Sequence, residues 1–110
     1  MCSYQTLYHS DKIGYVVRCN HCEQIQVAFG TMIINLAIDD FAAFCNNVRS
    51  LKENYPLSDD PYRKKIAVPT PFIGLMLYLN ESELHELSVM MELADNELRS
   101  EELLKLFTAC

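Results

Sequence analysis

The chain has 110 residues, half of them hydrophobic, and carries fifteen acidic against nine basic side chains for a net charge of −6. That length and apolar content suffice for one compact core and no more. The longest largely apolar run, Phe72 to Leu79, is under half of the roughly 20 residues that a bilayer-spanning helix needs. The opening residues MCSYQTLYHSDK show neither a basic nor an apolar leader region, so the expectation is a soluble, cytoplasmic protein with no membrane span.

The acidity is concentrated at one end. Residues 1–79 hold seven acids and seven bases, so the whole excess lies in residues 80–110. Such a balance repels phosphate backbones, and the one basic cluster, Arg63-Lys64-Lys65, is too short to reverse it, so nucleic acid is not an expected partner.

Tyr4 to His9 and Ile13 to Cys19 are rich in β-branched and aromatic residues and flank the polar triplet Ser10-Asp11-Lys12, which predicts a hairpin. In its second strand Ile13, Tyr15, Val17 and Cys19 form one face and bring Cys19 to the strand's end. Next, Ile25, Val27 and Phe29 alternate with Gln24, Gln26 and Ala28, and after Gly30-Thr31 the alternation resumes through Met32, Ile34, Leu36 and Ile38. This predicts a second hairpin with one apolar face. Asp39 or Asp40 then caps a helix whose apolar positions Phe41, Phe44, Cys45, Val48 and Leu51 recur at three-and-four spacing. The helix must end before Pro56, and Pro56 to Lys65 reads as a loop.

Ile66 to Asn80 predicts a third strand pair, IAVPTP followed by FIGLMLYLN, with both faces of the second strand apolar and that strand therefore central. Asn80 with Glu83 forms a capping box, and Leu84, Leu87, Met91, Ala94 and Leu98 make one helical stripe. Ser100 starts a further short helix through Leu103, Leu104 and Phe107. Residues 25–39 and 66–80 match in binary pattern at an offset of 41, although only three of fifteen positions are identical. A duplicated ββα unit and two ordinary hairpin-plus-helix units both fit, and both give one architecture. The expected fold class is α+β: a mainly antiparallel sheet of five or six strands with two principal helices on one face. The expected single domain, 1–110, divides into an N-terminal hairpin and knuckle (1–24), a first ββα unit (25–55), and a second unit plus C-terminal helix (66–110).

Cys19-Asn20-His21-Cys22 has the spacing at which a tight turn places two thiolates on one tetrahedral metal ion, with zinc the usual occupant. A complete site needs two more ligands, and no second Cys-x-x-Cys or His-x-x-x-His exists. Cys2 and His9 are the candidates, brought back by the first hairpin, with His21 as a substitute. The same pair also reads as a redox dithiol, although such pairs usually sit at a helix N-terminus and this one lies between strands. A third reading has two reduced cysteines simply turning a corner. Cys45 falls on the helix stripe as core packing, and Cys110 is terminal. With only three glycines, no phosphate-cradling loop or nucleophile elbow is present.

Gly14-Tyr15-Val16 followed by Cys19 and Cys22, then Gln26-Val27-Ala28-Phe29-Gly30-Thr31, and later Val68-Pro69-Thr70-Pro71 before an acidic helix, resemble a group of small uncharacterised bacterial proteins typical of Bacteroidota. The resemblance implies a one-domain, cytosolic bacterial protein of unknown function; it supplies no activity and no site residues. The functional expectation is a non-enzymatic protein-binding or regulatory module with possible zinc at the knuckle, and the alternative is a thiol-redox protein using Cys19 and Cys22. Phe72, Met76 and Tyr78 add an apolar face suited to a protein partner or to self-association.

Overall fold

A computed structural model describes residues 3–54 and 60–108, and side chains through Leu106. Six strands and two helices run in the order β1 (Tyr4–Ser10), β2 (Gly14–Cys19), β3 (Gln24–Phe29), β4 (Met32–Ala37), α1 (Ile38–Asn54), β5 (Ile66–Pro69), β6 (Met76–Leu79), α2 (Glu81–Thr108). The first four strands form an antiparallel meander in chain order, and β5 and β6 form a separate two-stranded sheet. The fold is therefore α+β, with the expected elements divided between two sheets.

Alternation sets the faces. Ile25 opposite Leu36 and Val27 opposite Ile34 place four buried side chains on one side of β3 and β4. Gln26, on the other side, accepts a hydrogen bond from the Tyr15 hydroxyl at 2.6 Å and donates one to Asn35 at 3.1 Å. This leaves one apolar and one polar face, the usual arrangement of an antiparallel sheet packed on one side only. In β2 the inward residues are Val16 and Arg18, because Val16 lies opposite Val27; Tyr15 and Val17, which belong to the expected Ile13–Tyr15–Val17–Cys19 face, lie on the outer side. A one-residue difference in phase exchanges the two faces of a strand. In β1 the register steps from Thr6 opposite Val17 to Tyr8 opposite Val16, and the bulged Leu7 points into the core. Gly14 is required where β2 begins: its φ is +148°, and a Cβ there would stand 1.9 Å from the Ala28 carbonyl oxygen.

Helix α1 starts at Ile38, so Asp39 and Asp40 occupy its first turn rather than the cap, where their charge still complements the helix N-terminus. Phe41, Phe44, Cys45 and Val48 are its buried positions. Helix α1 touches β3, β4 and β5, α2 touches β1, β2 and β6, and the helices pack against each other. One core results, joining both sheets.

Two expectations for the second half are corrected. Strand β6 is not central: it pairs only with β5, and Met76 and Tyr78 are exposed while Leu77 and Leu79 are buried. Phe72 to Leu75 belong to a turn organised by Thr70, whose hydroxyl donates to the Leu75 carbonyl at 2.7 Å and accepts from the Phe72 amide at 3.2 Å. With those residues in the turn, only four remain to pair. The expected break at Ser100 is absent, since α2 continues for 28 residues through a segment with no glycine or proline to interrupt it. The two ββα segments also differ in register. Ile25 faces Leu36, whereas Ile66 faces Leu79, not the Leu77 that an offset of 41 requires. The two-residue shift keeps every side chain on its face.

The capping box forms as read. The Glu83 amide donates to Asn80 Oδ1 at 2.7 Å, and the Asn80 amide donates to Glu83 Oε1 at 3.0 Å. Desolvation raises the Glu83 pKa, but the hydrogen bonds from Lys64 and the Asn80 amide, with the Lys64 charge, outweigh it, and the carboxyl sits below its ordinary value of 4.5. A depressed carboxyl pKa contributes stability that is present above the unfolded pKa and lost as pH falls through the folded one. Glu83→Gln is expected to cost about 0.5–1 kcal/mol at pH 7. The cost should shrink as the pH falls through the folded-state pKa of the carboxyl, as urea unfolding of both proteins at a series of acidic pH values would show.

Candidate functional site

Residues 20–23 join β2 to β3, and the cysteines stand at the two sides of this corner. Cys19, the last residue of β2, is 3% exposed, whereas Cys22 lies on the surface. Three features shape the turn. The Cys22 amide donates to Cys19 Sγ at 3.3 Å. The Asn20 amide donates to the Ser3 carbonyl at 2.8 Å, tying the corner to the chain just ahead of β1. Glu23 adopts φ +53°, a left-handed conformation uncommon outside glycine, and turns the chain back into β3. Strain of this kind gathers at functional sites and is kept where the surroundings enforce it.

The result is a pair of converging sulfurs, 2.7 Å apart. Two thiolates on one tetrahedral ion, each at about 2.3 Å from it, stand about 3.7 Å apart, so metal binding requires the pair to open by about 1 Å. Rotation about the χ1 of the exposed Cys22 is the least costly way to open it. The donor set, two soft sulfurs with an amide directed at one of them, fits zinc chemically.

The other candidate ligands are distributed unevenly. Tyr4 is the register partner of Cys19, so the N-terminal end of β1 lies beside the knuckle. His9 pairs with Tyr15 near the opposite end of the same hairpin. Five steps of extended strand separate it from Tyr4, about 16 Å. Its Nε2 lies 3.5 Å from the Asp11 carboxylate. The hairpin thus carries His9 away from the knuckle rather than back to it. His21 is exposed within the turn. Cys2 and Cys110 lie outside the described residues. Among the described residues no three His, Cys, Asp or Glu side chains group as metal ligands.

Cys45 is of another kind. It is buried between the helices, where its thiol donates to the Met91 carbonyl at 3.8 Å. Burial, reinforced by the Asp95 charge and opposed by Arg49 and Arg99, pushes its pKa from 9.0 up to about 12. It is a neutral core thiol, not a nucleophile. Asp95 itself, 5% exposed, is held by Arg99 Nε at 3.2 Å and Arg49 at 3.8 Å, an ion-pair cluster across the helix interface that the sequence reading missed. The signal available was the i, i+4 spacing of Asp95 and Arg99.

No helix among the described residues is long and apolar enough to cross a membrane. No curated protein and no solved structure matches the chain. A family profile does match, over residues 1–108. The chain belongs to that family, a family of unknown function designated DUF6686.

Proposed function

We propose that the chain is a non-enzymatic protein-binding or regulatory module of a reducing, cytoplasmic compartment, in which zinc held by Cys19 and Cys22 fixes the corner between β2 and β3. The observation that carries this reading is the conformation of the corner: a buried and an exposed cysteine converge while the Cys22 amide donates to Cys19 Sγ and Glu23 is held left-handed. Cys2 is the first candidate for a third ligand, because it precedes by two positions the residue that pairs with Cys19. His21 is the candidate for a fourth. When bound, zinc would cross-link the turn and add folding free energy. The exposed apolar residues of the β5–β6 hairpin supply the surface on which the protein-binding half of the proposal rests. Elemental analysis of protein purified without chelator should find one zinc per chain. Cys19→Ser and Cys22→Ser should each lose most of it and melt lower by about 5 °C or more. A wild-type protein without zinc, whose melting does not respond to chelator, contradicts the metal assignment.

The contact between the sulfurs supports a second reading, a thiol-redox pair. The exposed Cys22 thiolate would attack a disulfide such as oxidised glutathione and displace one glutathione thiolate. Cys19 would then attack Cys22 Sγ and expel the second, so that two electrons pass to glutathione and a Cys19–Cys22 disulfide remains. Placement between strands rather than at a helix N-terminus removes the usual means of activating such a pair. Mass spectrometry of chelator-treated protein exposed to oxidised glutathione distinguishes the outcomes. This reading predicts a Cys19–Cys22 disulfide, located by peptide mapping and lacking two hydrogens, with Cys45 unmodified; a persistent glutathione adduct on Cys19 or Cys22, or no reaction at either, contradicts it.

A further inference from the structure

In a protein of net charge −6 the chain carries no charged residue from Ile66 to Asn80, a length matched only by Gln24 to Ile38. Alternation divides this hairpin into two faces: Ile66, Val68, Leu77 and Leu79 point into the core, and Ala67, Pro69, Met76 and Tyr78 point outward. The outward four are cross-strand neighbours, Ala67 opposite Tyr78 and Pro69 opposite Met76, so they form one continuous facet. The turn extends it with Phe72 at 46% exposure, Leu75 at 39% and Ile73 fully exposed, beside Met76 at 55% and Tyr78 at 63%. Among the described residues β5 and β6 pair only with each other, and the β3–β4 turn and Lys64 border one edge of the outward side, beside Met76 and Tyr78.

From these observations we infer that the outward facet of the β5–β6 hairpin is the contact between two copies of this chain, packed face to face about a two-fold axis. Area is the first argument. Those five large side chains expose on the order of 600–700 Å², close to the roughly 800 Å² per partner that a stable interface buries and at or above the largest apolar patch usual on a monomer. Charge is the second. The facet is neutral, and the ionic groups at its base are paired, Lys64 with Glu83 and Lys65 with Glu81 at 2.9 Å. Two acidic chains can therefore meet here without bringing unpaired like charges together, which they could not do along α2. Self-complementarity is the third: a two-fold contact sets the same patch against itself, and an apolar patch with paired charges at its base satisfies that condition without a second surface.

This inference deepens the protein-binding reading by naming the partner, and it is independent of the zinc. Sedimentation velocity over roughly 1–200 µM, on samples whose zinc content is also measured, tests it. The expected result is a concentration-dependent species near twice the 12.7 kDa of one chain. Met76→Glu should raise the dissociation constant at least tenfold while circular dichroism and melting stay near wild type. Should Met76→Glu fail to fold, Ala67→Lys, which changes a small exposed residue on the same facet, decides the matter with the same expectation. A wild-type protein that sediments as one chain throughout, or a dimer that the substitutions leave as tight as before, overturns the inference. A zinc-bearing monomer would overturn the self-association and leave the metal reading standing.

Discussion

Both sheets of this protein depend on the same pair of helices. Each strand pair turns one apolar face inward, and α1 and α2 meet those faces while packing on each other, with Cys45 donating to the Met91 carbonyl and Arg49 reaching Asp95 across the contact. A two-stranded hairpin such as β5–β6 is marginal by itself. It persists here because Ile66 and Val68 on β5 and Leu77 and Leu79 on β6 enter the core that the larger sheet also lines. The helices therefore do more than cover a sheet: they make the two ββα segments parts of one hydrophobic unit. The Asp95 cluster lies on the same interface, where a buried carboxylate is accompanied by two guanidinium groups rather than left alone.

That division of labour leaves two features that folding alone does not require. One is the corner between β2 and β3. A two-residue turn suffices between β3 and β4, where Phe29 pairs with Met32 across Gly30 and Thr31. Between β2 and β3 the chain instead uses a longer turn with a left-handed glutamate and two converging sulfurs. The other is the outward side of the β5–β6 hairpin, where a protein of marked acidity presents apolar side chains with no charge among them. The features lie on different sheets, so each can be altered without the other.

Much of this was legible in the residue pattern. Clear alternation in β3 and β4 and three-and-four spacing in α1 and α2 identified the buried faces, and Asn80 with Glu83 announced a capping box that forms in both directions. The pattern is ambiguous where both faces of a strand are apolar. Tyr15, Val16 and Val17 offer no contrast, so the phase of β2 follows from its pairing with β3, a long-range fact. The same ambiguity made β6 look central, when its exposed Met76 and Tyr78 mark a surface. At the site, the cysteine pair was evident from spacing, but the fate of His9 was not. A hairpin returns only one end of its first strand to any given point, and the register places Tyr4, not His9, beside Cys19.

The coordination shell is the most direct test of the zinc proposed at the Cys19–Cys22 corner. X-ray absorption at the zinc edge, recorded on the purified wild-type protein, reads the identity and distance of the ligands. Zinc at this corner gives a first shell containing at least two sulfurs at about 2.3 Å, with sulfur lost from the shell of whatever zinc Cys19→Ser retains. A shell of nitrogen and oxygen alone, or one that Cys19→Ser leaves unchanged, would contradict it.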